Sequence, residues 1–317
     1  MPAESAHPLA RSRPLGDRVF AILALSAGLL VLVILVLIAV STSQQASSWF
    51  TTEGLSGVFS TTWQPPDKLG ALSFIYGTAV TSVIALVIAV PISLGMALLL
   101  TEVVPRRWGR PIVYVIDLLA VVPSVVWGLW GILVLAPWLQ HIYSSIASGV
   151  NGIPVLGFFF GGENVSGASF FTAGIILAIM ITPIVTSLSR EVIATTPTID
   201  KQGAYALGST RWEMITGVVL PHSQGGLVGS VLLGLGRAMG ETIAVALVIG
   251  SSPEITSHLF SPGYSLPSVI ANEFGEASGV FRAALMGMGV LLFFFTIIIN
   301  VIARGVVERS ARRSRGA

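Results

Sequence analysis

Residues 201–221 read KQGAYALGSTRWEMITGVVLP, a moderately polar stretch flanked on both sides by strongly apolar sequence. Its residues are arranged to fold. Asp200 stands where it can cap a short first helix, Gly208 can end that helix in the left-handed conformation, and Thr210 with Glu213 three residues later has capping-box spacing for a second. In the second half Gly208, Trp212, Ile215 and Val219 fall at helical spacing and predict one apolar stripe beside Arg211 and Glu213. Such a loop is expected to be an ordered docking surface, either for a partner protein or for lipid headgroups.

The sequence on either side decides the fold class. Of 317 residues, 53% are hydrophobic and only 10% charged, and mean hydropathy is +0.85, outside the range of soluble domains. A spanning helix needs about 20 mostly apolar residues, because lipid offers no water to unpaired backbone groups. Six segments qualify: 20–40, 72–99, 113–135, 172–188, 227–249 and 284–303. They predict an all-α integral membrane protein with six transmembrane helices. A seventh patch, 153–160, is too short to span and is expected to cover the outer end of the bundle. The first segment follows Arg11, Arg13 and Arg18 as a signal peptide would, but its apolar run exceeds the usual h-region of about 7–15 residues, so it reads as a retained helix.

Orientation follows from the basic residues. Arg11, Arg13 and Arg18 precede the first segment; Arg106, Arg107 and Arg110 lie between the second and third; Arg190, Lys201 and Arg211 between the fourth and fifth; Arg304, Arg309, Arg312, Arg313 and Arg315 after the sixth. All fall on one side of a six-span topology, with Lys68 and Arg282 on the other. The positive-inside rule therefore places both termini and the 201–221 loop in the cytoplasm. Because these charges flank helices rather than forming a stripe, no nucleic-acid partner is expected. The absence of cysteine excludes disulfides and thiolate metal sites.

Catalytic signatures are missing. His7, His141, His222 and His258 are scattered outside HExxH spacing, and no serine sits in a GxSxG elbow. Both lysines, Lys68 and Lys201, follow an aspartate, so no Walker A loop is present. The chain is expected to be no enzyme and to hold no cofactor or metal. Uphill transport would draw its energy through another subunit or from an ion gradient.

Charge inside the membrane costs roughly 2.5–3.5 kcal/mol on insertion scales and points to function. Arg237 and Glu241, within GLGRAMGET (234–242), are four residues apart and would share one helix face. Two readings stand: a self-neutralised packing pair, or an arginine fork for a tetrahedral oxyanion that Glu241 holds in place. Asp117, near the start of the third segment, reads as a hydrated helix-start carboxylate. The GxxxG spacings of Gly225, Gly229, Gly236 and Gly240 predict close helix packing, and Pro91, Pro123, Pro137 and Pro183 predict kinks. Trp127, Trp130 and Trp138 read as interfacial anchors.

At this level of detail the loop resembles the EAA loop of ABC-importer permeases: Ala204, Gly208 four residues later, then Val218 and Leu220-Pro221, with Gln202 and Gly203 as departures from the pattern. VVPSVVWGLWGILVLAPWL (121–139), SREVIATTP (189–197) and GLGRAMGET extend the similarity to the PstC-type permeases of phosphate importers. The resemblance implies a type I (MetI-like) ABC importer permease fold over residues 71–304, preceded by a first helix and outer loop (1–70) and followed by a basic tail (305–317). It implies a bacterial cell-membrane location and a heterodimer with a PstA-like permease. A PstB-like ATPase dimer would dock through Gln202, Ala204, Gly208, Trp212, Leu220 and Pro221. A PstS-like binding protein would deliver inorganic phosphate to a path containing Arg237, Glu241 and Thr242. An arginine does not by itself name its anion, so sulfate or molybdate import stays open. So does an ATP-independent anion transporter or channel.

Overall fold

The computed structural model describes residues 15–315, so His7, Arg11 and Arg13 lie outside the described residues. Among these, six helices are long and apolar enough to cross a membrane: Gly16–Phe59, Leu72–Val103, Ser124–Val150, Phe170–Ala194, Arg211–Gly240 and Gly279–Ile302. The number matches the hydropathy reading. Three of the boundaries do not.

Helix α1 runs from Leu15 to Phe59, 45 residues, or about 68 Å at 1.5 Å per residue, twice the thickness of a hydrocarbon core. Residues 41–59, expected in an outer loop, therefore continue the helix, bending at Gly54. A two-stranded hairpin follows, β1 (Trp63–Gln64) antiparallel to β2 (Lys68–Leu69). It is tied to α1 by buried Trp49, whose Nε1 donates to Leu69 O at 3.1 Å. Helix α13 (Gly279–Arg315) can lie against that indole because residue 287 is glycine: a Cβ there would sit 2.4 Å from the Trp49 ring.

The centre is built by α2 (Leu72–Leu98) and α7 (Phe170–Ala194). Small residues hold these axes close. Ala85, Ala89, Ala173 and Ala178 are buried between them, and a Cβ on Gly174 would lie 2.4 Å from Ile84 Cγ2. In lipid, where hydrophobicity gives no preference for helix over acyl chain, such close packing is what drives association. Ser169 starts α7 by accepting from Thr172 N. Pro91 and Pro183 sit inside α2 and α7 without ending them.

The third apolar segment behaves differently. It is split into α3 (Arg106–Val121) and a run beginning with α4 (Ser124–Trp130) that passes through a π-helical turn, Gly131–Leu135, into α5 (Ala136–Val150). The break falls at Pro123, which pushes Val122 before it into an extended conformation (ψ 124°). Asp117 lies exposed on α3, within a helix rather than at its start. The 153–160 patch forms α6 (Pro154–Phe160), whose Phe160 packs with Tyr143, Phe171 and Phe260 at one end of the bundle. Trp127 is half-buried against the central cluster, a packing role in place of the expected anchor, while Trp138 is exposed.

Candidate functional site

The 201–221 loop folds largely as its punctuation dictates. Helix α8 (Thr198–Ala206) begins three residues earlier than expected, so Asp200 occupies its first turn and Pro197 the cap position. It ends in a Schellman arrangement: Ser209 N donates to Ala204 O and Gly208 N to Tyr205 O, with Gly208 at φ 86°. Helix α9 (Arg211–Met214) opens on a complete capping box, Thr210 Oγ1 accepting from Glu213 N and Glu213 Oε2 accepting from Thr210 N at 2.7 Å. Both orphan ends are satisfied, so the loop is stiff.

A π-helical turn, Ile215–Val219, joins α9 to α10 (Leu220–Gly240). It divides the predicted apolar stripe. Met214, Ile215 and Val219 turn inward onto Ala97, Ile193 and Leu227, with Ala204 and Leu220 packed at the edge of that cluster. Trp212 stays outside with Ile199, Tyr205 and Leu207, and Gln202, Gly208 and Pro221 are exposed beside them. The sequence reading missed Ile199 and Leu207. Their signal is apolar side chains inside an otherwise polar helix and its cap.

The second region is a discontinuity in the fifth span. Helix α10 stops at Gly240, Glu241 is extended (φ −71°, ψ 123°), and α11 (Ile243–Val248) starts after Thr242. The predicted i, i+4 pairing of Arg237 with Glu241 requires continuous helix and is not formed. Among the described residues the ion pair is Lys201–Glu102 instead. Thr242 donates its hydroxyl to Gly240 O at 3.2 Å, satisfying a carbonyl that the break releases.

Helix α11 packs along α4 through glycines. A Cβ on Gly128 would lie 2.9 Å from Ala244 Cα, and one on Gly131 2.7 Å from Val248 Cγ1. These contacts advance in the same direction along both helices, which brings the Val122–Pro123 break level with the Gly240–Thr242 break.

Arg237 is exposed on α10 and lines a cleft of about 930 Å³ with Gly225, Gly229, Gly236, Glu191, Asn300 and Arg304. The predicted GxxxG packing is not realised among the described residues. Cβ atoms on Gly225, Gly229, Gly236 and Gly240 would meet nothing within 4 Å, whereas Gly226 and Gly234 are the glycines pressed against Val192 and Val185. The open glycines share the arginine's side of the helix. Gly225 to Arg237 spans about 18 Å of helix, so the cleft runs from the break toward the loop end of α10. Glu191 and Asn300 were not singled out by sequence, and Arg304 only as a charge that sets orientation, since each sits where a helix end is ordinarily polar.

At the other end of the bundle, α12 (Leu266–Glu273) carries a half-buried carboxylate. Glu273 Oε2 accepts from Trp63 Nε1 at 3.1 Å. Burial pushes its carboxyl above the ordinary range, only partly offset by the bonds from Trp63 and Tyr264.

Residues 89–316 match the family model described as binding-protein-dependent transport system inner membrane component. The chain is 44% identical over 287 residues to the phosphate transport system permease protein PstC of Pasteurella multocida, covering 89% of each chain. It is 43% identical over 299 residues to the protein of the same description in Xylella fastidiosa, covering 94% of this chain and 92% of that one. Among solved structures it superposes with a TM-score of 0.60 on a chain of the bacterial alginate ABC transporter in complex with its alginate pentasaccharide-bound periplasmic protein. That match covers 94% of this chain and 98% of the other at 17% identity, a likeness of fold alone.

Proposed function

Because this chain belongs to the family of binding-protein-dependent transport system inner membrane components, we propose that it is a permease subunit of an ATP-driven phosphate importer. The observation that carries the substrate is the 44% identity to a phosphate permease across 89% of both chains. The geometry supports the division of labour. An intramembrane arginine with no carboxylate partner is costly and is retained where water, a partner chain or an anion meets it. Arg237 meets that condition on the wall of an open cleft.

In this reading a PstA-like permease completes the cleft across the bare glycine face of α10, and Arg237 offers its planar donor fork to the tetrahedral anion as it passes. Glu241 and Thr242 lie at the adjoining break and line the path by main chain and side chain. A PstS-like protein delivers phosphate from the outer side, and the termini and the 198–221 loop lie in the cytoplasm. The exposed Ile199, Leu207, Gly208 and Trp212 dock in a groove of a PstB-like ATPase dimer, which binds the ATP. Closure of that dimer moves the loop and opens the Arg237 region to alternate sides of the inner membrane.

The test is reconstitution of the four-component system in liposomes with labelled phosphate. Uptake is expected to need ATP and the binding protein, to resist excess sulfate and molybdate, and to vanish in Arg237→Ala while the complex still assembles. Competition by sulfate or molybdate would reassign the anion, and transport by this chain alone would remove the ATPase from the mechanism.

A further inference from the structure

We propose that the ion pair between Lys201 and Glu102 is the strut that carries movement of the cytoplasmic loop into the helical core, an inference that rests on reading that loop as the ATPase contact. Lys201 Nζ donates to Glu102 Oε1 at 2.5 Å, and the two side chains are only 17% and 8% exposed. Exposed pairs of this kind hold little energy. This pair is half-buried, between that case and a fully buried pair, where removing either partner strands the other charge.

The pair joins elements far apart in sequence. Lys201 is on α8, the first half of the stiff loop. Glu102 is in the π-helical turn Leu99–Val103 that ends α2. Further along, α2 meets α7 closely through Ile84 against Gly174 (2.4 Å to a Cβ there), and α7 meets α10 through Val185 and Val192 against Gly234 and Gly226 (2.6 and 2.5 Å). Interfaces this close shift as bodies instead of deforming. Displacement of Glu102 is thereby transmitted to the helix that bears Arg237.

The surroundings let the pair change partners. Glu102 and Lys201 line a cavity of about 530 Å³ together with Arg190, Glu191, Thr101 and Thr198. Arg190 is half-buried there, and Glu102 is taken by Lys201. When the loop withdraws Lys201, Arg190 is the cation left to receive Glu102, which gives the contact two settings.

The experiment uses the assembled importer in liposomes, with phosphate uptake, ATP hydrolysis and bound ATPase subunit measured on the same vesicles. Glu102→Gln and Lys201→Met are expected to keep the ATPase bound and hydrolysing while ATP consumed per phosphate imported rises about five-fold or more, the lower end of site-to-site coupling. The exchange Glu102→Lys with Lys201→Glu is expected to restore the ratio. Single variants that keep the wild-type ratio, an exchange that fails to restore it, or uptake that falls only in step with lost ATPase would each overturn the strut. A wild-type importer that moves no phosphate would instead sink the functional reading, and the strut with it.

Discussion

Leu207 offers the sharpest separation between folding and docking. It is 91% exposed and sits between the Schellman bonds and the capping box, so its side chain shares little contact area with the other described residues. Truncation to alanine removes three carbons. If they are buried in an ATPase groove at about 0.8 kcal/mol each, scaled by the exposed fraction, the loss is about 2.2 kcal/mol, or roughly 40-fold in affinity. Trp212, 68% exposed on α9, belongs to the residue type that most often anchors interfaces, and Trp212→Ala is expected to cost about 2 kcal/mol or more in docking. Neither change should touch the fold, since surface truncations stay within about 0.5 kcal/mol. The assay is titration of labelled ATPase subunit onto the purified permease pair in nanodiscs, alongside thermal unfolding of the permease. The expected result is a Kd raised by the stated factors with a Tm moved by less than about 2 °C. An unchanged Kd, or a Kd that weakens only as Tm collapses, would refute the docking surface.

Three further outcomes follow from particular contacts. Gly208→Ala forces a Cβ onto φ 86° in otherwise open space, so it should lose about 1–2 kcal/mol of loop stability through strain alone, and ATP-driven uptake should fall more than in Gly208→Asn, which tolerates that conformation. Gly128→Leu drives a side chain into Leu247 and the Ala244 backbone and should destabilise the isolated subunit by about 1–3 kcal/mol or more, whereas Gly229→Leu, which meets nothing within 4 Å, should leave its Tm unchanged and weaken pairing with the second permease. Glu273 titrates above its ordinary value because burial disfavours the carboxylate; its stabilising protonated form is complete below the unfolded pKa and is lost as pH rises through the folded one. Glu273→Gln, which can still accept from Trp63, should abolish that decline in a Trp-fluorescence melt across the pH range, and an identical slope in both proteins would exclude Glu273 as its source.

What could be read from sequence depended on whether the signal was local. The capping box at Thr210, the left-handed Gly208 and the six spans are each written in a few adjacent residues or in bulk hydropathy, and each is realised. The Arg237–Glu241 pairing failed because it assumed continuous helix across Gly240, and hydropathy is blind to a break between two apolar halves. Prolines do not resolve this by themselves. Pro123 ends a helix while Pro91 and Pro183 do not, the difference being that α2 and α7 are gripped by one another along their length. The glycine repeat failed for a related reason: spacing says that Gly225, Gly229 and Gly236 share a face, but not which face turns inward, and the chain instead packs Gly226 and Gly234.

That choice of face traces back to a pattern of prolines. Three π-helical turns, Leu99–Val103, Gly131–Leu135 and Ile215–Val219, are each followed two residues later by proline: Pro105, Pro137 and Pro221. Pro137 and Pro221 lie in helix that continues from their turns, where a proline clashes with the carbonyl four residues before it, here that of Leu133 and Gly217, the middle residue of each turn; Pro105 instead follows extended Val104 (ψ 129°) and caps α3. Widening the helix at that point removes the clash and inserts one residue, rotating everything downstream by about 100°. At 215–219 the turn separates α9, which leaves Trp212 outside and Met214 in the core with Ile215 and Val219, from α10, and it sets the register in which α10 turns its bare glycines and Arg237 to the cleft. At 99–103 the turn ends α2 and carries Glu102, the partner of Lys201. The Leu220-Pro221 pair that closes the loop motif is thus a geometric element: it fixes the angle between the exposed loop surface and the cleft face of α10, which under the proposed function are the surfaces that meet the ATPase and the anion.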